Sequence, residues 1–409
     1  MSQRKAVTKV IATRYLRVSK VEKGRILDEL CAMTGWHRSH ARKALGEALR
    51  PKVVRPRRAR PPVYGPEVMA GLRLCWAVLG APAGKRLASF LPELVERLRR
   101  VGELHLDDAT AAQLAGMSAA TIDRRLAADR AKLSPRGRSH TKPGSLLKDA
   151  IPIRTWAQWD DAAPGFVEID LVAHEGGNAA GDFCSTLTVT DIATGWTENR
   201  TVRNKAQKWV AAALAEITAG FPFPVKGIDS DNGSEFINAH LLRWCEQEKI
   251  TFTRSRPGNS NDGAHVEQKN WAVVRQVAGY HRYDTEAERL LLNRIWALQT
   301  VMTNYFGPQQ KLVSKTRHGA KVIKKYDTAT TPHRRAEGHP AVSKKTTMAL
   351  AKRYAGFNPA AVQREIQALT AELLTLTTAK SAARQKPALA SKATRASGSE
   401  ATKRTTRAS

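Results

Sequence analysis

Residues 165–172 read GFVEIDLV, and residues 225–233 read VKGIDSDNG. Both runs have the apolar composition of buried β-strands, and such strands seldom carry a carboxylate without a partner or a metal. Because side chains alternate along a strand, Glu168 and Asp170 share one face of the first strand, and Asp229 and Asp231 share one face of the second. The four acids therefore predict a cation site on a sheet.

Segments around these two strands complete an α/β pattern. β-branched or alternating runs predict further strands at 183–190, 197–202 and 250–255, and apolar residues at helical spacing predict helices at 205–219, 235–249 and about 265–279. The order βββαβαβα predicts a mixed five-stranded sheet with helices outside it.

The choice among the acids depends on their positions. Asp231 directly precedes the turn residues Asn232 and Gly233, which would expose its carboxylate at the sheet edge, whereas Asp229 lies one pleat deeper. Glu267 begins the last helix, where it would approach the same edge. Three converging carboxylates repel one another unless a divalent cation lies among them, and hard oxygen ligands favour Mg²⁺ or Mn²⁺.

Several of these segments resemble the retroviral-integrase superfamily, and in particular bacterial insertion-sequence transposases with an integrase core. DSDNGSEF (229–236) is similar to the DNG turn of that superfamily, and 35 residues separate Asp231 from Glu267, as in its DDE spacing. The runs VEIDLVAHEGG, VTDIATGWTENR and PGNSNDGAHVEQKNW are similar as well, so the resemblance covers roughly residues 150–285. It implies an RNase H-like fold, with Asp170, Asp231 and Glu267 as catalytic ligands of two Mg²⁺ (or Mn²⁺) ions. Helix-turn-helix units in place of a His/Cys zinc module favour a bacterial transposase.

The resemblance also implies a reaction. Water would cut DNA at the element end, and the freed 3′-OH would attack target DNA without a covalent protein intermediate. Lys269 and Arg275, on the helix of Glu267, are expected either to touch DNA phosphates or to lie on a solvated face. His265 is expected to contact DNA or to support the ligands rather than to act as a base. Three tryptophans, Trp196, Trp244 and Trp271, are expected in the core.

The charge distribution points to a polyanionic partner. The 409 residues carry a formal net charge of +30, with 31 basic and 13 acidic side chains in residues 1–150, 15 and 19 in 151–310, and 21 and 5 in 311–409. Basic ends around a slightly acidic centre suit arms that bind DNA phosphates and a centre that binds cations. A surplus of this size argues against a generic metabolic enzyme.

Two segments have the pattern helix, glycine turn, helix that is typical of helix-turn-helix units. In residues 22–46, the turn is at Gly35, and the second helix offers Arg38, His40, Arg42 and Lys43 to DNA. In residues 107–128, Asp107 or Asp108 is expected to cap the first helix, Gly116 to turn, and Ser118 to cap the second helix, which offers Thr121, Arg124 and Arg125. A helical hairpin inside any all-α domain is the alternative interpretation of both.

The composition excludes several other classes. The four cysteines are far apart and form no CxxC pair, so neither a zinc finger nor a disulfide scaffold is expected. No phosphate-binding GxxxxGK[ST] loop is present. The longest uncharged apolar run, residues 74–84, is shorter than the ~20 residues of a membrane span, and the first residues lack a signal-peptide pattern. We expect no membrane association and a cytoplasmic, nucleoid-associated location in a bacterium.

The expected domain organisation follows from these features. It comprises a helix-turn-helix region at 1–133, a linker at 134–150, the catalytic core at 151–306, a basic C-terminal region at 307–378 with a possible small β module and two helices, and a disordered basic tail at 379–409. Expected partners are the terminal inverted repeats of a mobile element, target DNA and further copies of the chain. Two rival functions stay open: a catalytically inactive, transposase-derived DNA-binding regulator, and a nuclease of RNase H type that cuts RNA–DNA hybrids.

Overall fold

The computed structural model describes residues 2–50, 63–132, 163–230, 235–236, 239–254 and 264–385. The chain divides into two compact units, Met1–Val63 and Tyr64–Ser409. The predicted linkers at 52–62 and 134–150 lie outside the described residues, as does most of the predicted tail.

The first unit consists of three helices, α1 (Ser2–Arg17), α2 (Lys20–Thr34) and α3 (Arg38–Ala48). The glycine turn between α2 and α3 is as predicted. Gly35 has φ 69°, a left-handed conformation that glycine adopts without steric cost, and its N–H donates to the carbonyl of Cys31 at the end of α2. Helix α1 was not anticipated from the sequence. A small core joins the three helices through Ala12, Leu27, Leu30, Ala41 and Leu45.

The second unit begins with five helices: α4 (Pro66–Val78), α5 (Gly84–Arg100), α6 (Asp108–Ala115), α7 (Ala119–Arg125) and α8 (Ala127–Ala131). The predicted caps of the second helical pair are confirmed. Asp107 accepts from the N–H of Thr110 at 2.8 Å, and Ser118 accepts from the N–H of Thr121 at 3.4 Å. Leu114 is fully buried and belongs to the core of the second unit.

The centre of the second unit is a five-stranded sheet in the order β3-β2-β1-β4-β5. Its strands are β1 (Phe166–Ala173), β2 (Ser185–Asp191), β3 (Thr197–Val202), β4 (Gly227–Ser230) and β5 (Thr251–Arg254). β2 runs antiparallel to its two neighbours, β1 and β3. β4 runs parallel to its two neighbours, β1 and β5. The two crossover helices are α9 (Gln207–Gly220) and α10 (Ala239–Gln247). The predicted mixed sheet is therefore confirmed, and β1 and β4, the two acid-bearing strands, are neighbours at its centre.

The helix that carries Glu267 has three parts: α11 (Ala264–Lys269), a π-helical segment (Asn270–Arg275) and α12 (Gln276–Ala278). π-helical turns are rare and are often found at functional sites. The following helix, α13 (Glu286–Val301), begins with a capping box of Thr285 and Glu288 and ends in a second π-helical segment, Met302–Phe306. It packs on β3, where Trp296 donates to the hydroxyl of Thr201 at 2.7 Å.

The C-terminal region contains a two-stranded sheet of β6 (Leu312–His318) and β7 (Lys321–Tyr326), followed by α14 (Pro332–Glu337), α15 (Lys344–Gly356) and α16 (Pro359–Gln385). The predicted strand and the two predicted helices are confirmed. The predicted start of the tail at residue 379 is wrong, because α16 continues to Gln385. In the part of the chain that is described, no helix combines the length and the apolarity needed to cross a membrane.

Candidate functional site

The two carboxylates of β1 share a face of the strand but differ in exposure. Glu168 is 1% exposed, whereas Asp170 is partly exposed nearer the end of the strand. β1 runs parallel to β4, with Glu168 opposite Asp229 and Ile169 opposite Ser230. The structure therefore separates a buried acid from an accessible one, a choice that the alternation of residues alone left open.

Glu168 ties the start of α11 to the sheet. Its Oε2 accepts from the backbone N–H groups of His265 at 2.9 Å and Val266 at 3.1 Å. The first N–H groups of a helix have no partner inside the helix, and its N-terminus favours negative charge, so a buried carboxylate is well placed there. Glu168 thus fixes where the helix of Glu267 begins.

A second contact ties the same helix to β1 one turn later. The Nδ2 of Asn270 donates to Oδ2 of Asp170 at 2.5 Å, and Oδ1 of Asp170 accepts from the N–H of Leu171 at 2.7 Å. Glu267 lies between these two anchors and is exposed. Because one α-helical turn rises only about 5.4 Å, Glu267 is held within about a turn of the residue that touches Asp170. The sequence analysis did not identify Asn270; its position three residues after Glu267, on a neighbouring part of the helix surface, was the available signal.

The second acid-bearing strand is described as far as Ser230. Asp229 is 1% exposed and accepts from the hydroxyl of Thr253 on β5 at 2.6 Å, so its carboxylate is used inside the sheet. Asp231 lies outside the described residues. Within the described ranges, no three His, Cys, Asp or Glu side chains form a group that would hold a metal ion.

The donors that are described fit a hard divalent cation. Asp170 and Glu267 offer carboxylate oxygens at an accessible surface, and Mg²⁺ prefers such ligands together with water. The amide of Asn270 adds a further hard oxygen near Asp170, since its Oδ1 is buried and has no hydrogen-bond partner among the described residues. The described residues that fit such an ion are therefore Asp170 and Glu267, with the amide of Asn270 beside them.

The expectation that Lys269 and Arg275 lie on an exposed face is wrong. Lys269 is 9% exposed, and burial, together with the charges of Arg86 and Arg335, lowers its pKa to about 7. Lys269 lies two residues from the exposed Glu267, and two residues rotate a side chain by about 200° on an α-helix, which turns it inward.

Arg275 is 8% exposed, and its side chain is hydrogen-bonded within the protein. Its guanidinium donates to the carbonyls of Ala173 at 2.8 Å and Gly279 at 3.2 Å and lies over the ring of Tyr280. Burial lowers the pKa of this guanidinium, partly offset by nearby Tyr280 and Glu175. A guanidinium that is committed in this way is not available to DNA phosphates.

The expectation for the tryptophans is confirmed for two of them. Trp196 is 3% exposed, and Trp244 is partly buried against the core. Trp271 is 53% exposed, so its expected core position is wrong. It directly follows Asn270 and adds an exposed aromatic ring to the surface of this helix.

The candidate DNA-binding residues of the first unit lie on α3, and all four are exposed. Arg38 forms an ion pair with Asp28 and donates to the carbonyl of Gly24 at 3.4 Å, so it braces α3 against α2. His40 packs edge-on against Trp36. Arg42 and Lys43 are exposed on the same helix and point to solvent.

On α7, the candidate DNA-binding residues form a polar edge. Arg124 and Arg125 are exposed, while Thr121 is partly buried. The hydroxyl of Thr121 interacts with Ser118 at 3.0 Å and accepts from Arg124 at 3.2 Å. The two arginines are therefore the accessible cations of this helix.

The chain is similar in sequence to a known family and to two known proteins. The family model described as an integrase core domain matches residues 160–260, which include β1 to β5. The uncharacterized protein y4rM of Sinorhizobium fredii (strain NBRC 101917 / NGR234) is 38% identical over 339 residues, which cover 81% of this chain and 94% of y4rM. An uncharacterized 39.2 kDa protein of insertion element IS476 from Xanthomonas euvesicatoria is 25% identical over 215 residues, 52% of this chain and 58% of that protein. Among solved structures, the catalytic core domain of BIV integrase overlaps 42% of this chain and 93% of its own, with a TM-score of 0.29 and 17% identity.

Proposed function

The chain belongs to the family of y4rM and is an insertion-sequence transposase with an integrase-like core, and from this premise we propose which DNA reaction it performs and with which residues. It binds the terminal repeats of its element, cuts a strand at each end, and joins the freed 3′-OH to target DNA. Asp170, Asp231 and Glu267 are the catalytic carboxylates.

The double attachment of the Glu267 helix to β1 carries this proposal. Glu168 accepts from the helix start at 2.9 and 3.1 Å, and Asn270 donates to Asp170 at 2.5 Å. These attachments support a common accessible surface for Asp170 and Glu267, two acids 97 positions apart in sequence. A structural role for Glu267 would not require such anchoring, since the side chain itself is exposed.

The carboxylates suit phosphodiester chemistry when they hold divalent ions. Two such ions would activate the attacking oxygen and stabilise the leaving oxygen of an in-line displacement. The chain's own part is to keep the ligands in place: Asn270 and the N–H of Leu171 orient the two oxygens of Asp170, and Glu168 positions the helix of Glu267. Asp231 directly follows Ser230, the last described residue of β4, and completes the proposed ligand set.

DNA recognition is assigned to the helical pairs that precede the core. Arg42 and Lys43 on α3, and Arg124 and Arg125 on α7, are exposed cations on second helices of helix-turn-helix pairs. A second helix of this kind enters the major groove, and dimeric binding to two half-sites is usual. We therefore include homo-oligomer formation on paired element ends in the proposal.

The test is a cleavage and joining assay with element-end DNA, Mg²⁺ or Mn²⁺, and three conservative variants. Asp170→Asn, Asp231→Asn and Glu267→Gln should each lose both activities, by at least roughly 100-fold on the scale of removing one transition-state contact, while retaining DNA binding. Glu246→Gln removes an exposed carboxylate from α10 and should behave like the wild type. Full activity of any one of the three variants would remove that residue from the site.

The same assay separates the proposed reaction from its rivals. A wild-type protein that binds element ends but never cuts them would be a regulator. A protein that hydrolyses RNA–DNA hybrids and joins no DNA would be a nuclease of RNase H type. We expect DNA joining and no preference for hybrids.

A further inference from the structure

The hairpin formed by β6 and β7 stands free of the core. All thirteen of its strand residues are exposed, on both faces of the sheet. Val313 is 62% exposed, and Ile323 and Tyr326 are each 47% exposed. An isolated two-stranded hairpin is at best marginally stable in water, so this ribbon lacks the packed face that usually supports such a structure.

The charges on the hairpin oppose its formation. Lys315 lies directly opposite Lys324. Like charges directly across a strand pair are destabilising. Residues 312–326 contain five Lys or Arg side chains and no acid, so nothing within the ribbon compensates them. An external polyanion would remove this repulsion.

The base of the hairpin, in contrast, is firmly anchored. Asp327 accepts from the N–H of Lys311 at 2.6 Å and pairs with Arg335 at 2.8 Å. Lys311 also donates to the carbonyl of Ala193 at 2.5 Å, which ties the base to the loop after β2. Because its base is fixed to the catalytic core, the ribbon has a defined direction rather than acting as a loose arm.

We propose that the β6–β7 hairpin is a DNA-binding ribbon that inserts into the major groove of duplex DNA. The major groove, about 12 Å wide and 8.5 Å deep, admits a two-stranded ribbon, and a seven-residue strand is about 23 Å long. Lys315, Arg317 and Lys324 lie on one face, Lys321 and Lys325 on the other, so cations reach the phosphates on both groove walls. The exposed Val322 and Ile323 are suited to apolar contact with base edges.

The charge pattern selects DNA over a second copy of the chain. Two ribbons of this composition would repel each other if they paired edge to edge, whereas phosphates attract both of their faces. This inference rests on the proposed function, since it takes DNA as the substrate of the core. It adds a contact that lies outside both helix-turn-helix pairs.

The experiment measures binding of the full chain to duplex DNA without divalent metal, so that no cutting occurs. The hairpin variant carries Lys315→Ala, Arg317→Ala, Lys324→Ala and Lys325→Ala together. A matched control removes four exposed lysines of the core with the same change in net charge: Lys205→Ala, Lys208→Ala, Lys226→Ala and Lys249→Ala. Affinity is measured from 50 to 300 mM salt on a random-sequence duplex and on a single strand of equal length. Circular dichroism checks that both variants fold.

We expect the hairpin variant to lose at least about tenfold in duplex affinity at low salt, with a log–log salt slope smaller by about two to four, since each phosphate contact contributes about 0.9. The control should keep a slope close to that of the wild type, and the loss on the single strand should be smaller. Equal losses in the two variants, or an unchanged slope in the hairpin variant, would overturn the proposal. A change of oligomeric state without a loss of DNA affinity would instead identify a second copy as the occupant and would likewise overturn it.

These outcomes are separable from the fate of the proposed function. If Asp170→Asn still cuts DNA, the catalytic assignment fails whatever the hairpin does. If the hairpin variant binds like the wild type, the ribbon fails while the catalytic assignment stands.

Discussion

At the scale of single residues, the site depends on groups that never reach the substrate. Glu168 is buried on β1, two residues before Asp170, and accepts hydrogen bonds from the backbone of the helix that carries Glu267. Asn270 holds one oxygen of Asp170. These two side chains set the distance between the proposed ligands, so their loss should alter metal use before it alters DNA binding.

Replacing Glu168 tests this positioning role. Glu168→Ala leaves two helix N–H groups without an acceptor, and lost caps cost about 0.5–2 kcal/mol, so activity should fall roughly 2- to 30-fold. The Mn²⁺ concentration for half-maximal activity should rise, and Glu168→Gln, which keeps one acceptor oxygen, should restore most of both. An alanine variant with normal activity and metal requirement would show that the helix is positioned without Glu168.

Arg275 differs from the proposed site residues, because its guanidinium donates to backbone carbonyls of the protein instead of pointing toward DNA. Arg275→Met removes hydrogen bonds to the carbonyls of Ala173 and Gly279 and should lower the free energy of unfolding by about 1.5–3 kcal/mol. DNA affinity measured at a temperature where both proteins are folded should not change. Weaker DNA binding at unchanged stability in urea titrations would return Arg275 to the DNA interface.

At the scale of elements, alternation and amphipathic spacing predicted the five-stranded sheet and its helices well. Those patterns report burial, and in β2, whose β-branched residues gave the strand prediction, all seven residues are buried. They did not predict the π-helical segment 270–275 or the inward rotation of Lys269 and Arg275, because charged residues after Glu267 were assumed to face solvent. They also did not predict that Trp271 is exposed, since a tryptophan inside an apolar helix is usually in the core.

The docking of α16 on α13 shows why the sequence also misplaced the tail. Lys380 is the second residue of the predicted tail. It donates to Asp284 at 2.8 Å and to the two oxygens of Glu288 at 2.7 and 2.9 Å. Glu288 is 1% exposed; its burial acts to raise its pKa, but the hydrogen bonds from Lys380 and from the N–H groups of Asp284 and Thr285 outweigh it and hold the pKa below its usual range. A long-range ion network of this kind leaves no local pattern in the sequence.

Breaking this network should destabilise the protein in a pH-dependent way. Lys380→Met leaves the buried Glu288 without its cation, while Asp284 keeps its ion pair with Arg282, and should cost about 3 kcal/mol at pH 7. A carboxyl whose pKa is lowered by folding contributes stability above its unfolded pKa and loses it as the pH falls through the folded pKa, so the difference from the wild type should shrink in acid. Arg100→Met, which breaks a surface pair with Glu96, should cost less than about 0.5 kcal/mol.

Urea unfolding at several pH values measures both variants against the wild type. A Lys380→Met cost as small as that of Arg100→Met, or one that grows toward acid pH, would show that the buried carboxylates are stabilised by other groups.

At the scale of the whole molecule, the distribution of charge along the chain matches the proposed separation of DNA binding from metal binding. Basic residues dominate the helical region before the core and the hairpin after it, while the slightly acidic centre contains the carboxylates. The exposed hairpin and the exposed cations of α3 and α7 belong to different parts of the chain, so the proposal predicts that several separate segments contribute to DNA affinity. The charge surplus could be counted from the sequence, whereas the attachment of the Glu267 helix to β1 through Glu168 and Asn270 could be seen only in the structure.

The most direct test of the central claim is the anomalous scattering of Mn²⁺ in crystals of the full chain. We expect a peak within about 2.1 Å of carboxylate oxygens of Asp170 and Asp231, with Glu267 beside it, and loss of that peak in Asp170→Asn. A well-ordered structure in Mn²⁺ that shows no peak at Asp170, or that holds Asp170 and Glu267 too far apart to share a metal site, would contradict the assignment.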